Sequence, residues 1–130
     1  MIRVWLDDIR PMPQGYDIWV KTAREAIDLL ATNAVCGISL DHDLGDEEKD
    51  DCGKGMHVAN YIEEAAYRGE IEFVACQIHS ANPVGRDNMM ATLCNAYKYW
   101  GVENASPFVV DYAAEILHGF DPLIEAIEKV

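Results

Sequence analysis

The chain has 130 residues, 50% of them hydrophobic, and its 10 basic against 23 acidic side chains leave a formal charge of −13. That length makes one domain, residues 1–130, able to bury a core without disulfides or a structural metal. The acidity gives no diffuse attraction for nucleic acid, which excludes non-specific nucleic-acid binding and requires any phosphate ligand to be held locally. No apolar run approaches the roughly 18 residues of a membrane-spanning helix, and the first residues lack the basic-then-apolar layout of a signal peptide. A soluble, cytoplasmic protein without a membrane partner is expected. Cys36, Cys52, Cys76 and Cys94 are 16, 24 and 18 residues apart, which fits neither a zinc knuckle nor a C-x-x-C pair, so they read as reduced thiols.

Ile2, Val4 and Leu6 alternate with Arg3 and Trp5 and predict a short strand that delivers Asp7 and Asp8 at its end. A Pro/Gly loop over 11–15 leads to a second predicted strand, Tyr16 to Val20, rich in aromatic and β-branched residues. Thr22 to Glu25 forms a capping box for a helix that runs to about Thr32. The third predicted strand, Val35 to Leu40, ends in Asp41-His42-Asp43-Leu44-Gly45. A polar loop from Asp46 to Lys54 precedes a helix whose buried face carries Met56, Ala59, Ile62 and Ala66 and which stops at Gly69. Ile71 to Ile78 predicts a fourth strand running into His79-Ser80-Ala81-Asn82-Pro83, where Asn82 caps and Pro83 opens a helix to Gly101. The core is read as 1–101, and 102–130 as an extension of two helices, one from Phe108 to His118 and one from Asp121-Pro122 to Glu128.

Strands alternating with helices imply an α/β fold with an open, mostly parallel sheet. In such sheets ligands sit beyond the carboxyl ends of the strands, near the point where strand order reverses. Three of the four predicted strands end there in polar clusters: Asp7-Asp8, Asp41-His42-Asp43 and His79-Ser80 with Asn82.

Two ionised carboxylates about 4 Å apart at an effective dielectric near 20 repel by on the order of 4 kcal/mol. A divalent cation relieves that repulsion, and hard oxygen ligands suit Mg2+ or Mn2+; Asp7, Asp8, Asp41 and Asp43 are the candidate ligands. The bland reading is that aspartates at strand ends cap loops. His42, between two acids, and His79, at the end of an apolar strand, are candidates to move protons; alternatively His79 satisfies a core hydrogen bond and His42 faces solvent. Ser80, Asn82, Arg86 and Arg10 are candidates to hold a phosphate, with the alternative that the arginines neutralise the acidic rim. His57 and His118 fall within predicted helices and carry no assignment. Cys52-Gly53-Lys54-Gly55 does not make a phosphate-binding loop, because Glu48 stands where its first glycine belongs, and no G-x-S-x-G elbow surrounds Ser80.

Three segments in order, Trp5-Leu6-Asp7-Asp8-Ile9-Arg10-Pro11, Ser39-Leu40-Asp41-His42-Asp43-Leu44-Gly45 and His79-Ser80-Ala81-Asn82-Pro83-Val84-Gly85, resemble the cyclic-phosphate processing receiver-like family, a divergent relative of response-regulator receiver domains. The resemblance covers roughly residues 1 to 100. It implies a receiver-like, flavodoxin-like fold with a shortened first crossover. It also implies a metal-assisted site that recognises or hydrolyses a cyclic phosphate, on a cyclic nucleotide or a 2′,3′-cyclic RNA end. The chain departs from phosphorelay receivers in having no strand that ends in Lys-Pro and in placing His42 directly after Asp41. The leading expectation is therefore a metal-dependent phosphoesterase. The rivals are a covalent route with Asp41 as nucleophile and Asp43 as acid and base, and a non-catalytic module. That module would be a cyclic-nucleotide sensor or an acidic surface for a basic protein partner, and the C-terminal helices could equally complete the cover of the sheet or form a homodimer.

Overall fold

The computed structural model describes residues 1–44, 54–102, 104–111, 119 and 121–128. In chain order the elements are β1 (Ile2–Leu6), β2 (Ile18–Val20), α1 (Ala23–Ala31), β3 (Val35–Leu40), α2 (Gly55–Arg68), β4 (Ala75–Ile78), α3 (Pro83–Tyr99), β5 (Phe108–Val109) and α4 (Pro122–Glu128). The strands form one sheet in the order β2-β1-β3-β4-β5, every pair parallel. This is the open parallel sheet of the receiver-like fold expected. The chain moves outward from β1 to β2, then steps back over β1 to β3, so the reversal falls between β1 and β3.

Local chemistry explains most boundaries. Thr22 Oγ1 accepts the Glu25 N–H at 3.2 Å and starts α1, while Asn82 Oδ1 accepts the Gly85 N–H at 3.0 Å and Pro83 opens α3. Gly69 closes α2 in the left-handed conformation, φ 70°, which glycine adopts without steric cost.

The alternation of side chains along the strands separates two different interiors. Val4, Leu6, Ile38, Leu40, Cys76 and Ile78 point to one face, where α1, α2 and α3 cover them in an aliphatic core. On the other face Trp5 meets Tyr16, Val110, Leu123 and Ile124, and α4 lies against β3 and β4. β3 presents Gly37 there, and a Cβ at Gly37 would run into Ile127 of α4. The β1–β2 connection over 7–17 contains no helix, so α4 takes part in covering the sheet on the side of Trp5.

Three expectations change. The fourth strand begins at Ala75 rather than Ile71, because the Glu72 N–H is taken by Asn33 Oδ1 and the Ile71 carbonyl by the Trp100 indole, not by a neighbouring strand. The second strand begins at Ile18, because Asp17 joins β1 partly through its side chain, which accepts the Arg3 N–H at 2.9 Å. Where helical periodicity begins at Phe108, the structure instead has β5, which extends the sheet beyond β4. Residues 112–118 of that predicted helix, and 46–53 of the predicted polar loop, lie outside the described residues.

Gly55 seats the start of α2 directly on the end of β3: its N–H donates to the His42 carbonyl at 2.8 Å, and a Cβ there would collide with the Asp41 backbone carbonyl. Because backbone cannot swing aside, Gly55→Ala is expected to lower stability by about 1–3 kcal/mol, read from the urea midpoint. An unchanged midpoint would contradict this seating.

Candidate functional site

The carboxyl ends of β1 and β3 hold the site. Asp7 follows β1 and continues the ladder through its N–H to the Val20 carbonyl at 3.1 Å; Asp41 follows β3 and donates its N–H to the Leu6 carbonyl at 3.0 Å. Asp7 is fully buried and Asp41 nearly so. One oxygen from each of Asp7, Asp8 and Asp41 lies within 4.8 Å of the others, a spacing at which three carboxylates can share one cation. They open onto a cleft of about 320 Å³ whose lining also includes Arg10, Asp43 and Ser80.

Asp7 is held on all sides. Its Oδ1 accepts the Ile9 and Arg10 N–H groups at 2.9 and 2.8 Å, which folds residues 7–10 into a tight turn. Its Oδ2 meets His79 Nε2 at 3.1 Å and the Arg10 guanidinium at 3.4 Å. Two indoles fasten the turn from below, Trp5 Nε1 on the Arg10 carbonyl at 3.0 Å and Trp19 Nε1 on the Asp7 carbonyl at 2.7 Å. Burial alone would raise the Asp7 pKa, but the hydrogen bonds from His79, Ile9 and Arg10 outweigh it and hold the carboxyl below its ordinary value.

Asp41 behaves oppositely. Burial and the neighbouring Asp7 charge push its pKa up to about 6, against the opposing pull of the His42 N–H on its Oδ1 at 2.8 Å and of Arg10 at 3.7 Å. Arg10 thus bridges Asp7 and Asp41, yet one guanidinium against the three carboxylates leaves the cluster negative. The donor set is all oxygen, crowded, anionic and partly buried, which fits Mg2+ or Mn2+ better than a soft metal.

The other anticipated residues separate into groups. Ser80 is buried at the cleft, and its Oγ accepts the Asn82 N–H at 3.1 Å. Asp43 lines the cleft with its carboxylate 61% exposed and sits 2.8 Å from His42 Nδ1. Since a carboxylate only accepts, His42 Nδ1 is the donor, and the Asn82 amide nitrogen 3.5 Å away is a neighbour rather than a partner. The His42 ring packs where a Cβ of Gly85 would stand. Asn82 spends its carbonyl oxygen on the α3 cap. Arg86 stands on the first turns of α3, outside the cleft lining. His79 is also outside it, with 1% of its surface exposed, and its ring stacks on Trp5 with centroids 3.8 Å apart and planes 5° from parallel. Burial lowers its pKa, against the pull of Asp7.

Sequence reasoning passed over Ser39, Gln77 and Tyr16, all buried and hydrogen-bonded to one another or to His79. The signal was present: a serine and a glutamine interrupt the apolar runs VCGISL and ACQI, where a buried polar group requires a partner.

A model of the cyclic-phosphate processing receiver domain matches residues 2–95. The chain belongs to that family. No curated protein matches the sequence. The match takes in β1 through most of α3, hence the strand ends that carry the three acids, and the family is one associated with cyclic-phosphate processing.

In this receiver domain the raised Asp41 pKa has a definite consequence for stability. The carboxyl has an ordinary value of 3.8 and about 6 when folded, so between those pH values the unfolded chain ionises first and stability falls. Asp41→Asn escapes this: its stability relative to the parent in urea unfolding is expected to rise by on the order of 3 kcal/mol between about pH 4 and about pH 7, then level off. Parallel pH profiles for the two proteins would contradict the crowding of Asp41 against Asp7.

Proposed function

We propose that the protein is a divalent-metal-dependent phosphoesterase that takes a cyclic phosphate, on a nucleotide or at a 2′,3′-cyclic RNA end, into the cleft above β1 and β3. The observation that carries this is the convergence of Asp7, Asp8 and Asp41, together with Arg10 and Ser80, at the reversal of strand order in a chain of this family. Asp7, Asp8 and Asp41 are the residues that would hold Mg2+ or Mn2+. When bound, the cation supplies Lewis acidity toward a phosphoryl oxygen and toward the attacking water.

The chain's own groups do the rest. The Arg10 guanidinium is 33% exposed at the cleft and offers positive charge to a phosphate oxygen, and the Ser80 hydroxyl hydrogen is available to a second one. Asp43 faces the cleft with His42 behind it and forms the proton-transfer pair. The water oxygen forms a bond to phosphorus and one ring P–O bond breaks. The water's proton passes to the Asp43–His42 pair, and a proton returns to the departing ester oxygen. Asn82 serves as the cap of α3, and Arg86, on the first turn of that helix outside the cleft lining, takes no part in this step.

A panel of 2′,3′- and 3′,5′-cyclic nucleotides and cyclic-phosphate-ended RNA, incubated with Mg2+, Mn2+ or EDTA and resolved by chromatography, tests this. The expected result is metal-dependent opening of one substrate, absent in Asp41→Ala and slowed about a hundredfold or more in Asp43→Asn. Saturable binding without turnover would replace the enzyme with a sensor, and turnover untouched by EDTA would remove the metal from the account.

A further inference from the structure

The interior between the sheet and α4 carries a hydrogen-bond chain whose two ends are each fixed by a group with a single role. The Leu123 backbone N–H, at the start of α4, lies 3.1 Å from Gln77 Oε1 and also 3.1 Å from Asp121 Oδ1. A backbone N–H can only donate, so the atom of the Gln77 amide facing it is oxygen, and the amide nitrogen faces the opposite way. That nitrogen then donates its two hydrogens to Ser39 Oγ at 2.9 Å and to the Tyr16 hydroxyl at 3.2 Å. Tyr16 passes its own hydrogen to Asp121 Oδ2 at 2.9 Å; burial, then the Asp121 charge, keep that phenol protonated. At the other end the Asp7 carboxylate can only accept, so His79 Nε2, 3.1 Å from Asp7 Oδ2, is the donor. In a neutral ring Nδ1 is then the acceptor, and Ser39, which accepts from Gln77, donates to it at 2.8 Å. Among the described residues no buried side-chain nitrogen or oxygen lacks a hydrogen-bond partner.

We infer that His79 is a positioning residue, locked by Trp5 stacking and by this one-way relay as the Nε2-protonated imidazole that holds the Asp7 carboxylate in place, rather than a group that moves protons for the reaction. The relay runs from α4 through Gln77 and Ser39 to Asp7, so a segment beyond the matched residues 2–95 helps to set the geometry of the acidic cluster. A His79 that served as acid or base would have to exchange its Nε2 hydrogen with substrate or water. Instead the ring has 1% of its surface exposed, and Asp7 and Ser39 occupy its two nitrogens. Its part in metal binding rests on the function proposed above; the relay itself does not.

Two measurements test this. In 15N-labelled parent protein at neutral pH, long-range imidazole correlations are expected to show His79 as a single neutral ring protonated at Nε2. A ring protonated at Nδ1, or at both nitrogens, would overturn the relay. The second measurement uses side-chain amides that cannot titrate: glutamine reaches about as far as Nε2 and can donate to Asp7, whereas asparagine stops near Nδ1. His79→Gln is expected to bind Mn2+ within about threefold of the parent and His79→Asn about tenfold more weakly, as for lost partners of metal ligands. The Asp7 carboxyl 13C shift, recorded without metal, is expected to move in His79→Asn and stay near the parent value in His79→Gln. Equal behaviour of the two variants, in affinity or in that shift, would overturn the positioning role. Failure of the parent to bind Mn2+ would sink the metal site of the proposed function, while the ring's protonation and the Asp7 shift would still decide the relay.

Discussion

Two carboxylates that follow adjacent parallel strands, Asp7 after β1 and Asp41 after β3, are brought together by the sheet whether or not their charges agree, and much around them answers that repulsion. Asp7 is held ionised by hydrogen bonds to both oxygens, so the cost of crowding falls on Asp41, whose carboxyl is the one driven up to about 6. Arg10 reaches across to both carboxylates and offsets part of the charge. A site with one rigid anion, one reluctant anion and an excess of negative charge has an electrostatic incentive to take a cation from solution. The same crowding limits how far the fold can be stabilised without altering the site.

The two faces of the sheet divide the labour. The face under α1, α2 and α3 is aliphatic and supplies cohesion through residues such as Leu6, Ile38, Leu40 and Ile62. The face under α4 gives up part of that apolar area to Ser39, Gln77, Tyr16 and His79, a network that serves orientation more than burial. Such an interior is tolerable only when every member is satisfied, as it is here among the described residues. With no helix in the β1–β2 connection, α4 helps to close this face and also supplies the Leu123 N–H that orients the Gln77 amide.

Much of this could be read from the order of residues. β1 and β3 had strong apolar patterns ending in acids, and the caps at Thr22, Asn82 and Gly69 are short-range chemistry, so strand ends and helix starts were legible. β5 was not, because two residues cannot show a period of two, and its identity depends on pairing with β4. The N-terminal half of the run 71–78 looked like strand because Ile71 and Val74 are buried, but long-range partners, Asn33 and Trp100, use its backbone groups. Asp7, Asp8 and Asp41 were placed together by the topology rule alone. The role of His79 could not be read from its own neighbourhood, since the atoms that orient it come from Trp5, Ser39 and, through Gln77, Leu123.

Crystals of the protein soaked in Mn2+ and measured for anomalous scattering show whether the three acids hold a cation. The expected result is a peak coordinated by oxygens of Asp7, Asp8 and Asp41, with Arg10 drawn away from at least one of the two carboxylates it now bridges. Mn2+ that binds only elsewhere, leaving the Arg10 bridge to Asp7 and Asp41 intact at saturating metal, would contradict it.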